Sequence, residues 1–354
     1  MIRILTAGES HGPGILVIID GLPAGIKMDL NFINHELKRR RSGTGRSKRM
    51  KQEKDKVVLL AGVRRGRTIG APIAFFIKNV DYRKEEFSGG SRITKTLIPR
   101  PGHADLPGLL KFGFEDIQDV SERASARETV ARVAAGAACK LFLKEFSIKI
   151  SSHVLSIGPA KDKREITGLI KYARELGDTL GGVIEIYADN VCPGLGSYTH
   201  FDKRLDGLIG MAMLSIPSVK GIEIGEAIKS AQSFGSAIHD TIFYNRQKGF
   251  YRKTNHAGGI EGGMSNGERI VVRLYAKPIP TLQKPLNSVH LQTKYPTPAP
   301  TPRADVCVVE AIGVIGEAML AYVLTSVLLE KFGSDALADI KRGYREYLKR
   351  VKNG

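Results

Sequence analysis

The stretch VEAIGVIGEAMLAYVLTSVLLEKFG, residues 309–333, constrains the fold more than any other. It reads as one long helix with apolar residues on most of its sides, stopped by Gly333. Such a helix is buried, either in the core of a sizeable protein or in a bilayer. Its longest nearly apolar run, Ala318 to Leu329, is too short to cross a bilayer, so a protein core is expected and no membrane partner. The chain of 354 residues is long enough to supply that core, in one large domain or in two to three ordinary ones. Strands are expected at GILVIID, KVVLLAG, APIAFFI, GGVIEIYADNV and ERIVVRLYA. The segment DLNFINHELKRRR reads as a helix opened by Asp29. A second helix is expected from Ser125, where SARE has the form of a capping box between Ser125 and Glu128. It places Val130, Val133, Ala134, Ala137 and Leu141 on one face. A basic surface helix is expected at about 335–352. Helices and strands mix without strict alternation and no linker divides the chain. The expectation is therefore an α+β or layered α/β architecture, as a single domain over residues 1–354.

Lys and Arg outnumber Asp and Glu by 54 to 36, a formal charge of +18. That surplus attracts anions, either nucleic acid or a small phosphorylated substrate. The chain has no tryptophan, which does little for a base-stacking platform but leaves backbone binding open. The three cysteines, Cys139, Cys192 and Cys307, are far apart. They argue against a disulfide scaffold and for a reducing compartment. The N-terminal MIRILTAGES has no long apolar run of the secretory kind, so a cytoplasmic location is expected. No group of His, Cys or acidic residues has metal-ligand spacing, so no metal is expected. Residues 39–56 are rich in Gly, Ser and Lys and lack an apolar face. This reads as a mobile basic loop at about 41–56 unless an anion orders it.

Several short stretches carry residues suited to chemistry, and each also has a plainer reading. TAGESHGPG sets His11 between glycines and RPGHADLPG sets His103 after a Pro-Gly turn. Either is a proton carrier near neutral pH or an ordinary turn histidine. RRRSGTGR gathers Arg39, Arg40, Arg41 and Arg46, whose guanidinium groups bind phosphate bidentately, or form a solvated charge run. Arg123, Ala124 and Ser125 enter an expected helix N-terminus, which favours an anion or simply caps the helix. Gly258, Gly259, Gly262 and Gly263 make a close-approach loop or a hairpin. KPIPTL, Lys277 to Leu282, follows a strand. The prolines at 296, 298, 300 and 302 form an extended approach to Arg303 and Asp305, which share one side of an extended backbone or pair at the surface. Neither G-x-G-x-x-G nor G-x-x-x-x-G-K-[ST] occurs. Together the stretches suit chemistry on a phosphorylated small molecule more than binding to DNA.

In order along the chain, GESHG, GILVIIDGLPAG, RRRSGTGR, RPGHAD, SARETVARVAAGA, VKGIEIG, NHAGGIEGG, KP and the R-x-D before GEAMLA resemble chorismate synthase, from about residue 8 to 330. The resemblance implies a helical layer between two antiparallel sheets and a homotetramer. It implies the 1,4-elimination of phosphate from 5-enolpyruvylshikimate 3-phosphate, giving chorismate, the last common step toward aromatic amino acids. Reduced FMN is required although there is no net redox change, the flavin lending an electron while phosphate leaves. Carried over by position, His11 protonates the departing phosphate. His103 sits beside the flavin, and Asp305 assists proton removal at a flavin nitrogen. Arg40 and Arg46 hold the substrate phosphate or, in some descriptions, NADPH. Arg123, Ala124, Ser125, Pro217, Ser218, Gly262, Lys277, Pro278, Ile279, Pro280, Thr281 and Arg303 contact FMN. NADPH or a separate flavin reductase supplies the electrons. Two departures stand out: Ala304 replaces a polar residue in the late motif, and Pro217 does so in SIPSVKG. Two other readings are a nucleic-acid-binding protein using residues 39–56, and a phosphatase-like hydrolase using His11 without flavin.

Overall fold

Alternating apolar residues build two four-stranded antiparallel sheets, each buried on one face. The structure, a computed structural model, describes residues 2–47, 54–87, 95–247, 249–302 and 305–353. The first sheet holds β1 (Arg3–Ala7), β2 (Gly14–Asp20), β3 (Val57–Ala61) and β4 (Ile73–Lys78), in the order β1-β2-β4-β3. Ile15, Val17 and Ile19 of β2 and Ile73, Phe75 and Ile77 of β4 point into the core, as a period of two requires. The second sheet holds β5 (Lys149–Ile157), β6 (Gly182–Asp189), β7 (Val219–Ile224) and β8 (Ile270–Ala276), in the order β5-β6-β8-β7. Ile184, Ile186, Ile270, Val272 and Leu274 are buried there in the same way.

Among the helices are α1 (Leu30–Arg41), α2 (Asp105–Phe112), α3 (Ile117–Ala124), α4 (Thr129–Lys144), α5 (Leu205–Leu214), α6 (Val309–Phe332) and α7 (Leu337–Asn353), of which α1, α4 and α6 pack on one another as the central layer. Asp29 caps α1, its carboxylate accepting from the backbone of Asn31 and Phe32. α4 packs on β2, α6 packs on β5 and β6, and α4 and α6 pack on each other. The architecture is the expected α+β sandwich of sheet, helices and sheet, and one apolar core runs through it from Ile2 to Tyr344.

The two central helices meet at Gly136, where an added Cβ would lie 2.3 Å from the Cβ of Ala318. No residue larger than glycine fits that crossing. The contact explains why the expected single apolar face of α4 was too narrow. Ala131, Ala135, Ala138, Cys139 and Phe142 are buried as well, because small side chains on the second face admit α6. At 24 residues, α6 is itself long and apolar enough to cross a membrane, unlike the shorter run judged from sequence, but it is largely buried here inside the protein.

Into this apolar layer the chain inserts a charge. Glu317 of α6 is fully buried. Arg39 grips both its oxygens at 2.7 Å, Lys140 donates at 2.6 Å and Ser152 at 2.6 Å. Lys140 also binds Glu36. Burial works against the charge on Glu317, but Arg39 and Lys140 outweigh it and hold the carboxyl below its usual range.

One local expectation is corrected. Ser125 does not open a capping box. It separates α3 from a 3₁₀ turn at Ala126–Glu128, and its hydroxyl accepts from the backbone of Arg127. Glu128 turns to Arg132 at 3.0 Å, one helical turn on, in place of the serine backbone. The basic loop is not a free arm at its ends. Thr44 donates to Glu310, the Gly45 carbonyl accepts from Val306, and Asp55 is buried. Residues 48–53 of that loop lie outside the described residues. The basic terminal helix is present as α7.

Removing one partner of a buried ion cluster strands the others without solvent. Glu317→Ala should therefore cost about 3–5 kcal/mol of stability by chemical denaturation. The folded state holds the carboxyls of Glu317 and Asp55 below their unfolded values. The stability they add is thus present above pH about 4 and lost as pH falls further. Glu317→Gln should flatten that acid dependence, and an unchanged slope between pH 7 and the acid limb would refute the assignment.

Candidate active site

The loop between β1 and β2 carries His11, and two surrounding elements fix it. From α3, Glu122 accepts from His11 Nδ1 at 2.6 Å and from its backbone N–H at 2.7 Å. From the end of β4, Asn79 donates to the carbonyls of Glu9 at 2.9 Å and Gly12 at 2.8 Å. Arg123 braces the loop entrance, donating to Thr6 and to the Gly8 carbonyl. His11 Nε2 is buried with no hydrogen-bond partner, and Asp81 Oδ2 stands 3.7 Å away. Burial works against the charge on Glu122, but the hydrogen bonds from His11 and Gln118 hold its carboxyl below the usual range.

Behind the loop lies a buried group of arginines. Arg127 donates to Asn79 at 2.8 Å and to Asp55 at 2.5 Å, and Arg40 donates to Asp55 at 2.9 Å. Arg41 also approaches Asp55, at 3.7 Å. Burial lowers the Arg40 guanidinium below its usual value. Asp55 opposes this, and repulsion from nearby Arg127 and Arg46 adds to it. Arg46 pairs with Asp305 at 2.7 Å, and the Ser47 N–H reaches the same carboxylate at 2.6 Å. The arginines of RRRSGTGR therefore do not converge on one point, and neither are they a solvated run. Arg39, Arg40 and Arg46 each take a different carboxylate. The Nε–H groups of Arg40 and Arg46 remain buried with no acceptor.

His103 has a parallel arrangement. Its Nδ1 lies 2.5 Å from Asp105, which Arg100 grips at 2.7 and 2.8 Å. Arg100 also donates to Ser121 of α3 at 2.7 Å. Asp105 is fully buried. Burial opposes its charge, but Arg100 and His103 hold the carboxyl well below the usual range. Ser121 and Glu122 are consecutive, so one short helix touches both histidine environments.

Three of the expected cofactor positions line one cavity of about 500 Å³: Arg123, Ala124 and Pro217. Its apolar wall includes Ile4 and Met319. Pro217 and Ser218 are the central residues of a turn closed by Val219 N–H to the Ile216 carbonyl, at 3.1 Å, with Ser218 at φ 71°. Proline suits the first central position of such a turn, which accounts for the departure in SIPSVKG. The Ser218 carbonyl accepts from Lys277 N–H at 2.9 Å, and Lys277 Nζ donates to the Gly102 carbonyl at 2.7 Å. A hydrogen-bonded path thus leads from the cavity to the turn before His103. Pro280 packs near Gly102, and the Ile279 carbonyl accepts from Thr179 at 2.8 Å. Pro278 and Thr281 lie in the same segment after β8. Ser125 accepts from the hydroxyl of Ser10 at 3.1 Å.

Gly262 belongs elsewhere, in the turn of a small hairpin whose next residue, Gly263, accepts from Leu205 N–H at 2.8 Å. Gly258 and Gly259 do make close approaches, but to the chain's own backbone. Added Cβ atoms would meet Gly225 N at 2.3 Å and the Arg269 carbonyl oxygen at 2.5 Å. Arg303 and Ala304 lie outside the described residues. Sequence reasoning missed Glu122, Asp105, Arg100, Asn79, Asp55 and Arg127 as site residues. Arg100 and Asp105 were within RPGHADLPG and Arg127 within SARE, Glu122 immediately precedes Arg123, and nothing in the sequence marked Asn79. Among the described residues no cluster of His, Cys, Asp or Glu could hold a metal ion.

Two histidines held by carboxylates, one of them in a loop tied to buried arginines, supply the residue types of acid–base chemistry. The family model described as chorismate synthase matches residues 2–329. A chorismate synthase of Caldanaerobacter subterraneus is 49% identical over 351 residues, covering 99% of each chain. One of Carboxydothermus hydrogenoformans is 47% identical over 387 aligned positions, covering all of both chains. A solved chorismate synthase structure superposes with TM-score 0.82 at 40% identity, over 100% of this chain and 99% of that one. The chain belongs to the chorismate synthase family of carbon–oxygen lyases.

Arg46 and Asp305 form a largely buried pair, so their substitutions are not independent. A double-mutant cycle of Arg46→Ala and Asp305→Ala should give a coupling of about 0.5–3 kcal/mol in stability. Additive losses would mean that the pair is absent in solution.

Proposed function

We propose that this chain performs the family reaction, eliminating phosphate from 5-enolpyruvylshikimate 3-phosphate to give chorismate, and does so in the cytoplasm. A C–O bond to phosphate and a C–H bond break, one C=C bond forms, and no net oxidation occurs. The observation that carries this reading is His11 Nε2, buried without a hydrogen-bond partner in a loop that Asn79 ties to the arginines around Asp55. An imidazolium there gives its proton to a departing phosphate. The unsatisfied Nε–H donors of Arg40 and Arg46 suit the anion itself. The same donors would serve the phosphate of NADPH if that nucleotide supplies the electrons; the other supplier is a separate flavin reductase.

The cavity fits FMN in kind. It has an apolar wall for a flat ring, and Arg123 and Arg132 on its lining suit a phosphorylated cofactor. Arg123, Ala124, Ser125, Pro217, Ser218 and Lys277 to Thr281 would hold it, with Arg303 as a further contact, while Gly262 does not line this cavity. When bound, reduced FMN supplies an electron that eases phosphate departure. His103 presents its ring from a fixed mount on Asp105. Asp305 accepts a proton only after parting from Arg46, so substrate phosphate drawing Arg46 away would free it. The homotetramer expected of the family has a surface to use. On the outer face of the first sheet Leu5, Val58 and Leu60 are 68%, 51% and 58% exposed, which suits association.

Anaerobic phosphate release from 5-enolpyruvylshikimate 3-phosphate should require chemically reduced FMN. Release with oxidised FMN as well would point to a hydrolase or a flavin-independent lyase. His11→Ala should lower turnover roughly a hundredfold or more. Asp305→Asn should keep flavin binding and lose rate, and loss of flavin affinity alone would make Asp305 a binding residue.

A further inference from the structure

We propose that Glu122 is the positioning residue that makes His11 exchange its proton through Nε2 alone. The inference rests on His11 being the acid and adds what aims it. Glu122 holds the ring and the backbone of the same residue, through Nδ1 at 2.6 Å and the backbone N–H at 2.7 Å. Its own carbonyl accepts from the Ser10 N–H at 2.9 Å. Gln118, one turn earlier on α3, donates to the carboxylate and orients it in turn.

The chemistry follows from what a carboxylate can accept. An ionised carboxylate has no proton to give, so Nδ1 must be the N–H of the neutral ring. Nε2 is then a bare lone pair in the neutral ring and an N–H in the imidazolium. The proton gained and lost in each cycle is the one at Nε2. A ring flip would break the Nδ1 bond, and the backbone clamp keeps the loop from following it. His103 is mounted in the same manner on Asp105.

Three measurements test this. Long-range ¹H–¹⁵N spectra of histidine-labelled enzyme, with the His11 signal assigned by its loss in His11→Asn, should show the Nδ1–H tautomer when the ring is neutral. An Nε2–H tautomer in the native enzyme would overturn the proposal without any further variant. Glu122→Gln keeps an oxygen for the backbone N–H but offers an amide N–H to Nδ1. It should move the proton to Nε2 and lower kcat by roughly 10²- to 10⁴-fold, the scale of a wrong tautomer in an acid–base pair, with KM nearly constant. Glu122→Asp retains the charge, and should keep the native tautomer and recover part of the rate. A Glu122→Gln enzyme with the native tautomer and rate, or one in which only KM rises, would overturn the proposal. The spectra need neither flavin nor substrate. If His11→Asn kept full turnover, the acid reading of His11 would fail while the tautomer result stood separately.

Discussion

A carboxylate buried in an otherwise apolar helix is the constraint on which the arrangement turns. Glu317 has no access to water, so its charge is tolerable only when cations and hydrogen-bond donors surround it. They come from α1 through Arg39, α4 through Lys140 and β5 through Ser152. Those three contacts pin both sides of the helical layer to α6. They also set the angle at which α1 delivers its last turn. Arg40 follows Arg39 by one residue, about 100° round the helix, and it faces Asp55 instead. The chain then leaves α1 toward Gly45 and Arg46, where it meets the approach to α6 at Asp305 and Val306.

The site is assembled from loops that hold little apolar surface of their own. Their rigidity comes from hydrogen bonds between distant segments. Asn79 joins the His11 loop to Arg127, Arg127 to Asp55, and Asp55 to Arg40. α3 joins the same loop, through Glu122, to the His103 mount, through Ser121. Buried networks of this kind are costly when partly satisfied and stiff when complete. Open ends at His11 Nε2 and at the Nε atoms of Arg40 and Arg46 are therefore informative about the ligand.

Much of the fold was legible in the chain because the information is local. Alternation in GILVIID and in IVVRLYA marks one buried face of a strand, and Asp29 marks a helix start by a contact with Asn31 and Phe32. The motifs around His11 and His103 lie against the carboxylates of Glu122 and Asp105. Local patterns misled where a spatial neighbour competed. Glu128 had the spacing of a capping partner, yet Arg132 outbid the serine backbone by offering a charge. The glycine pair Gly258 and Gly259 had the look of a ligand loop, yet the backbones of Gly225 and Arg269 occupy that space.

Composition and pattern alone determined a long buried helix, a set of half-buried strands, a surplus of positive charge and the histidines and arginines suited to acid–base chemistry on an anion. These follow from hydrophobic periodicity and side-chain chemistry, which need no knowledge of what lies across the core. Only the tertiary structure decided which charge answers which. Arg39 and Glu317 are 278 residues apart in sequence, and Arg46 and Asp305 are 259 apart. An ion pair depends on a separation of a few ångströms in a place without water, and packing of the sheets and helices sets that separation.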